Sequence, residues 1–268
     1  MTSRKKTDQW ERILIFSDTH SVFLDRKAWK VFLQVCEAYQ PDRVIGNGDT
    51  IDCVGISEHA SKLALHSPET LDDFPFDYEL DFTFNEILRP LRKAVGRSCK
   101  IDLRLGNHEW RFIRPNRANA KALAEILDVC AKRGATKLED LLKLDKIDAT
   151  LSYNGVDVLY DSFVLVHGKS TSPTAAKFNL DKYGCGTSGH SHRANSFTKY
   201  ARGNLQGWWE SGTLRTTKNV EYLVHGDQPD WVNAFLSLTI NRNTGRFFCH
   251  THYIIGGQCE FNGQLFSA

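Results

Sequence analysis

The segment Arg12-Ile-Leu-Ile-Phe-Ser-Asp-Thr-His20 is an apolar run that ends abruptly in a carboxylate and an imidazole. Short apolar runs of this kind are typical of buried strands. Residues 26–39 then repeat apolar side chains at helical spacing, Pro41 ends that helix, and Arg43-Val-Ile-Gly46 predicts a second strand just before Asp49. The pattern indicates a strand–loop–helix–strand unit with polar side chains at the carboxyl ends of strands, where open α/β sheets place their sites.

Four further blocks place a carboxylate, an amide or an imidazole beside a small residue. In chain order they are Gly48-Asp49, Gly106-Asn107-His108-Glu109, Val166-His167-Gly168 and Gly189-His190-Ser-His192. Aspartate, asparagine and histidine side chains that arrive from separate strand ends can hold two divalent metal ions side by side. Each block alone is weak evidence, but the ordered set favours a dinuclear centre that attacks phosphate esters.

Helical spacing recurs twice between these blocks. Apolar residues over 76–95 predict a helix that Pro90 bends or ends. A second helical segment covers about residues 118–144, with a break near Gly134. We therefore expect a helical or loop insert at about residues 55–99 and a helical pair that packs on the sheet or caps the site.

The second half of the chain is rich in predicted strands from residue 147 onward. Turn signals at Asn154-Gly155 and Asn243-Thr-Gly245 suit hairpins. A mixed first half and a strand-rich second half, both carrying ligand blocks, predict an α/β fold of two facing mixed β-sheets flanked by helices. We expect a single domain over residues 1–268.

Composition narrows the class of protein. The chain has 41% hydrophobic and 25% charged residues, as is ordinary for a globular protein, and its net charge of +2 is too small to imply a nucleic-acid or membrane partner. No apolar run approaches the roughly 18 residues that span a bilayer, and no signal-peptide pattern is present. Seven scattered cysteines without a CxxC motif favour reduced thiols in a cytoplasmic compartment. Cys185 is more simply a small residue closing a strand than a ligand.

The ordered blocks resemble the D-x-H, GD, GNH[DE], H and GHxH motifs of the calcineurin-like metallophosphoesterase superfamily, from Asp18 to His192. The family fold, a two-sheet sandwich flanked by helices, agrees with the α/β prediction. The resemblance implies two divalent metal ions, one bound by Asp18, His20, Asp49 and His192 and the other by Asp49, Asn107, His167 and His190. Manganese is favoured, although iron, zinc, nickel or cobalt would suit the same ligands.

The resemblance also implies the roles of two further residues. His108 is expected to face the substrate, stabilise the transition state and protonate the leaving oxygen. Asp52, three residues after the bridging aspartate, is expected to hold His108 and raise its pKa, with a plain turn residue as the alternative. The implied reaction is in-line attack on phosphorus by a metal-bridging hydroxide.

Departures from the family pattern bear on the substrate. Protein Ser/Thr phosphatases carry arginines where this chain has Cys53 and Leu105, so their phosphomonoester clamp is missing. Arg111 and Arg193 lie close to ligand blocks in sequence and are the preferred candidates for binding substrate phosphate. Solvated surface arginines without such a role are the alternative for each.

The segment Trp208-Trp-Glu-Ser-Gly-Thr-Leu214, followed by Tyr222 and Pro229-Asp-Trp231, is similar to the tails of phage and bacterial members of the superfamily. Its tryptophans could stack on a base or could be core aromatics. We expect hydrolysis of nucleotide-type or other small phosphodiesters in the cytoplasm of a bacterium or phage-infected host. A DNA exo- or endonuclease of the repair-exonuclease type, a phosphomonoesterase and a catalytically silent metal-binding scaffold remain open alternatives.

Overall fold

The computed structural model describes residues 9–57, 74–116, 119–201, 204–217 and 230–268. The described strands are β1 (Trp10–Phe16), β2 (Arg43–Gly46), β3 (Lys100–Arg104), β4 (Ala149–Ser152), β5 (Val156–Leu159), β6 (Phe163–Val166), β7 (Gly186–Ser188), β8 (Ser196–Ala201), β9 (Asn204–Glu210), β10 (Ala234–Asn241), β11 (Phe247–Tyr253), β12 (Gln258–Phe261) and β13 (Gln264–Ser267). The described helices are α1 (Arg26–Tyr39), α2 (Phe76–Phe82), α3 (Arg89–Val95), α4 (Glu109–Ile113), α5 (Ala120–Arg133), α6 (Leu138–Leu141) and α7 (Ala175–Tyr183). A π-helical turn, Thr83–Leu88, joins α2 to α3, and 3-10 turns cover Ser21–Phe23 and Leu144–Ile147.

The larger sheet has the strand order β11-β10-β1-β2-β3-β4. Strands β1 to β4 run parallel, whereas β10 is antiparallel to β1 and β11 is antiparallel to β10. The side chains of Ile13, Leu14, Ile15 and Phe16 are fully buried, which explains why β1 is a continuous apolar run rather than an alternating one. The parallel arrangement brings the carboxyl ends of β1, β2 and β3 to one edge.

The smaller sheet has the order β5-β6-β7-β9-β8. Strands β6, β7 and β9 are parallel to one another, and β5 and β8 are antiparallel at the two edges. The histidine blocks therefore also follow neighbouring parallel strands, because His167 comes just after β6 and His190 just after β7. Strands β12 and β13 form a separate hairpin.

The two sheets face each other across one apolar layer. Side chains of β1, β2 and β10 on the larger sheet, such as Ile15 and Leu238, pack with Phe163, Leu165 and Trp209 of the smaller sheet. A second cluster covers the other face of the larger sheet with α1, α3 and α5, and a third places α7 against the smaller sheet. These layers confirm the prediction of two facing mixed sheets flanked by helices.

The predicted first unit is confirmed in detail. Helix α1 begins where the Asp25 side chain accepts hydrogen bonds from the N–H groups of Lys27 and Ala28, each at 3.0 Å. It ends at Gln40, whose left-handed conformation leads into Pro41. Gly134 likewise ends α5 in a left-handed conformation, at the predicted break.

One hairpin prediction is wrong. The turn signal Asn243-Thr-Gly245 joins the antiparallel pair β10 and β11, as expected, but Asn154-Gly155 joins strands of different sheets. Strand β4 pairs with β3, and β5 pairs with β6. The crossing is held by Asp157, which accepts hydrogen bonds from Ser152 at 2.8 Å and from the Arg104 guanidinium. A side-chain network, rather than strand pairing, is what fixes this turn.

The predicted insert lies partly outside the described residues, which leave out 58–73. Its second half is helical, and the π-helical turn ends two residues before Pro90, which cannot donate a backbone hydrogen bond. Helix α7 was missed, because the sequence after residue 147 indicates strands.

Among the described helices, none has both the length and the hydropathy that crossing a bilayer requires. The single-domain assignment stays a prediction.

Candidate metal centre

The side chains predicted as ligands follow the carboxyl ends of five strands. They are Asp18 and His20 after β1, Asp49 after β2, Asn107 after β3, His167 after β6, and His190 and His192 after β7. Most of them have φ values between 50° and 68°, the left-handed region that residues with a Cβ rarely adopt: Asp18, His20, Asp49, His190 and His192. Such conformations cost on the order of 1 kcal/mol or more each and cluster at functional sites.

The first ligand group consists of Asp18, His20 and His192, whose donor atoms all lie within 4.8 Å of one another. Oδ1 of Asp18 is 3.2 Å from Nε2 of His192 and 3.7 Å from Nε2 of His20. The two Nε2 atoms are 3.0 Å apart. All three side chains are buried, so the group is shielded from bulk water.

The second ligand group consists of Asp49, His167 and His190, again within 4.8 Å. Oδ2 of Asp49 is 3.0 Å from Nε2 of His167. The Asn107 side chain joins this group, because its Oδ1 lies 3.2 Å from Nε2 of His167 and 2.7 Å from Nδ1 of His190. A neutral amide oxygen adds a donor here without adding charge.

The two groups meet at Asp49. Its Oδ2, which contacts His167, is also 4.0 Å from Nε2 of His20 in the first group. In the same way Oδ1 of Asp18 is 4.0 Å from Nε2 of His167. The groups are therefore adjacent, with the Asp49 carboxylate at their boundary.

Hydrogen bonds on the outer side of two imidazoles fix which nitrogen faces the centre. Nδ1 of His20 is 2.8 Å from Oδ2 of Asp52, and Nδ1 of His167 is 2.8 Å from the main-chain oxygen of Asn47. Because both partners are acceptors, each Nδ1 carries a proton and each Nε2 points inward as a potential ligand. Unprotonated nitrogens and carboxylate oxygens that face one another can bind a cation. A mixed set of nitrogen and oxygen donors suits borderline divalent ions.

His108 lies beside the two groups and is oriented by Asp52. Nδ1 of His108 is 2.7 Å from the main-chain oxygen of Asp52 and 3.1 Å from its Oδ1, so this nitrogen donates and Nε2 is left facing the centre. Nε2 is 3.8 Å from Oδ2 of Asp49. Arg111 donates to the same main-chain oxygen of Asp52 at 2.8 Å and lies 3.4 Å from Nε2 of His108. Asp52 therefore contacts the imidazoles of both His20 and His108.

Electrostatics in the metal-free protein reflect these contacts. Burial lowers the pKa of His108, but the carboxylates of Asp49 and Asp52 outweigh it and raise the pKa to about 9. The pKa of His167 is raised to about 10 in the same way, by Asp49 and Asp18 against the effect of burial. Both shifts show that carboxylates near these imidazoles favour a positive charge at the centre.

Comparison with known proteins identifies the family of this chain. The family model described as calcineurin-like phosphoesterase matches residues 11–253, which contain every block described above. The chain belongs to the calcineurin-like phosphoesterase family.

Two phage proteins are similar along the length of this family member. The Gene 54 proteins of Mycobacterium phages L5 and D29 are each 27% identical and each cover 95% of this chain and 98% of their own length. Among solved structures, a Vps29 single mutant from Entamoeba histolytica has a TM-score of 0.42 at 14% identity, over 93% of this chain and 97% of its own. Hypothetical protein PH1004 from Pyrococcus horikoshii OT3 has a TM-score of 0.41 at 11% identity, over 89% and 86%.

The sequence prediction did not single out Glu109, the last residue of the Gly-Asn-His-Glu block. Its buried carboxylate accepts hydrogen bonds from four backbone N–H groups: Thr50 at 2.7 Å, Gly106 at 2.8 Å, Asp49 at 3.1 Å and Ile51 at 3.2 Å. It therefore ties the loop after β2 to the loop after β3. Its position directly after His108 is the sequence feature that could have identified it.

Close backbone contacts explain two of the glycines beside ligands. A Cβ on Gly106 would collide with the Asp49 side chain, and one on Gly189 would collide with Ser17 and Asp18. Any side chain at either position would displace a predicted ligand. The small residues of these blocks thus permit the loops to approach each other.

The remaining candidates lie in different environments. The Arg193 guanidinium pairs with Asp230 and donates to the main-chain oxygen of Thr171, and its substrate role stays a prediction. Trp208 and Trp209 are buried in the core, as the structural alternative has it. Trp231 differs from them, because its ring meets the His192 ring edge-on with centroids 4.2 Å apart. Tyr222 and Pro229 lie outside the described residues.

Proposed function

We propose that this family member is a dinuclear metal-dependent hydrolase of phosphate esters, with small or nucleotide-type phosphodiesters as preferred substrates. The observation that carries the proposal is the junction of two ligand groups at Asp49, with His108 beside it. On this account Asp49 would be a ligand of both metal ions. The first site would be completed by Asp18, His20 and His192, and the second by Asn107, His167 and His190.

Two divalent ions bound there would supply Lewis-acid activation of water and of the phosphate ester. The chain's own contribution begins with His108, whose Nε2 holds a proton for the departing ester oxygen. Asp52 fixes the orientation of that imidazole through Nδ1 and stabilises its protonated form. Arg111, whose guanidinium lies 3.4 Å from the same Nε2, would bind a phosphate or leaving-group oxygen.

The preference for diesters rests on the two positions where an arginine clamp is missing. Cys53 is fully buried and its N–H donates to Glu79 at 2.8 Å, while Leu105 is buried in the core. Neither position offers a charge to the doubly ionised end of a monoester. Diesters carry one negative charge on the phosphate and need less compensation.

The test compares hydrolysis of bis-p-nitrophenyl phosphate and p-nitrophenyl phosphate, each with added Mn²⁺ and with chelator, alongside digestion of single-stranded DNA. Faster metal-dependent cleavage of the diester with intact DNA is the expected result. Preference for the monoester would favour a phosphatase, and DNA degradation would favour a nuclease. Bound metal without turnover of any substrate would contradict the proposal and favour the scaffold alternative.

A further inference from the structure

Arg215 lies on a segment that is fastened to the loop carrying the first ligand group. The N–H of Leu214 donates to the main-chain oxygen of Asp18 at 3.2 Å, and Thr213 Oγ1 donates to the same oxygen at 2.7 Å. On the far side, the N–H of Thr216 donates to the main-chain oxygen of Phe23 at 2.8 Å. The backbone of Arg215 is therefore held in register with the turn that follows His20.

The Arg215 guanidinium contacts two aromatic rings. Its Cζ is 4.9 Å from the centroid of the Phe23 ring and 5.3 Å from that of the Trp231 ring. Trp231 in turn contacts the ring of His192, with the centroids 4.2 Å apart. This stack places a guanidinium one aromatic ring away from a predicted ligand of the first group.

The environment of this cation is unusual. Arg215 is only 6% exposed, and its Nε is buried without a hydrogen-bond partner. No carboxylate of the described residues forms an ion pair with Arg215, in contrast to Arg193, which pairs with Asp230. Burying a cation is costly, and aromatic faces compensate for only part of that cost. Because no described carboxylate pairs with Arg215, a bound anion would supply the remaining compensation.

We propose that Arg215 is a substrate-binding residue that holds an anionic phosphate oxygen beside the first ligand group. The inference rests on the proposed function in that it takes the substrate to be a phosphate ester. It adds a third arginine to the two candidates indicated by the sequence. The Phe23 and Trp231 rings would orient the guanidinium, whose planar fork of N–H groups suits phosphate oxygens.

The test measures binding of inorganic phosphate to the Mn²⁺-loaded full chain by titration calorimetry. Arg215→Met keeps the length and apolar contacts of the side chain and removes the charge, whereas Arg215→Lys keeps a charge without the planar fork. We expect phosphate affinity to fall roughly 10- to 100-fold in Arg215→Met and less in Arg215→Lys. The control Arg246→Gln removes an exposed arginine on the turn before β11 and should bind phosphate as the wild type does.

Two further readouts separate the alternatives. Metal content and melting temperature show whether each variant folds and loads. If Arg215→Met and Arg215→Lys load metal and bind phosphate as tightly as the wild type does, Arg215 only fastens Phe23 to Trp231 and the inference is overturned. If both Arg215 variants failed to load metal, a role in folding or loading would replace the proposed one. If the Arg215 variants lose phosphate affinity but the wild-type protein hydrolyses no phosphate ester, the proposed function is wrong and this inference still holds.

Discussion

The carboxylate of Asp52 accepts a hydrogen bond from Nδ1 of His20 at 2.8 Å. Its other oxygen lies 3.1 Å from Nδ1 of His108, so one carboxylate orients both a predicted metal ligand and the predicted general acid. The resemblance to the family led us to expect only the second contact. If His20 binds metal and His108 donates a proton, as proposed, Asp52 links the two functions through these contacts.

Asp52→Asn should lower both the turnover rate and the affinity for metal, which are measured separately. We expect kcat to fall about 100-fold, because the amide supports only one of the two Nδ1–H groups as acceptor and no longer stabilises the protonated imidazole. The affinity for the first metal ion should fall about 10- to 100-fold, as for other groups that orient ligands. Steady-state kinetics and metal titration measure the two effects.

The pH profile distinguishes this positioning role from general damage. The Asp52 carboxylate raises the pKa of His108, and a general acid is active only below its pKa. Its loss should therefore move the alkaline limb of the kcat profile to lower pH. Asp145→Asn, which alters an exposed ion pair with Lys146, should leave the limb in place. An unmoved limb in Asp52→Asn would count against the Asp52–His108 pair.

His108→Ala and Asp49→Asn should separate catalysis from metal binding. The first removes the proton donor but none of the assigned ligands, so metal content should persist while turnover falls by about 10²- to 10⁴-fold. The second removes the charge at the junction of the two groups, so metal should be lost as well. Metal analysis beside kinetics checks both, and a fully active His108→Ala protein would show that the acid assignment is wrong.

Glu109→Gln should destabilise the loops after β2 and β3, which carry Asp49 and Asn107. Glutamine offers one acceptor oxygen where the carboxylate offers two, so one pair of buried N–H groups meets an NH₂ group instead. We expect a loss of about 2 to 4 kcal/mol in the free energy of unfolding. Urea denaturation measures it, with the exposed Glu37→Gln on α1 as control. Equal stability of the two variants would refute the role of Glu109 as a loop clamp.

Metal uptake should release protons. The pKa of His167 is about 10 in the metal-free protein, so its imidazole is protonated at pH 7.5 and must lose a proton before Nε2 can bind an ion. Apparent metal affinity should therefore rise with pH between about 7 and 9. Calorimetric titration in buffers of different ionisation enthalpy measures the protons released. If no protons are released, the ion does not displace a proton from His167.

The fold could be predicted because its signals are local. The apolar run before Asp18, the helix between Asp25 and Gln40, and the break at Gly134 each follow from a few neighbouring residues. The turn at Asn154-Gly155 could not, because its direction depends on the contact of Asp157 with Arg104, 53 residues away in sequence. Helix α7 was missed because its surroundings are rich in strand signals.

The site, too, could be predicted from the sequence only where its signals are local. The motifs located the ligand-type residues and His108, which the fold brings together, but they carry no information on side chains that act through long-range contacts. The Arg215 stack joins residues on three separate segments, and the double contact of Asp52 depends on the loops after β1 and β3 meeting. Arg193, close to a ligand block in sequence, instead pairs with Asp230.

The most direct measurement is the anomalous diffraction of crystals grown with Mn²⁺. Two peaks are expected, one among Asp18, His20 and His192 and one among Asn107, His167 and His190, with the Asp49 carboxylate contacting both. A single peak, or peaks away from these residues, would contradict a dinuclear centre bridged by Asp49.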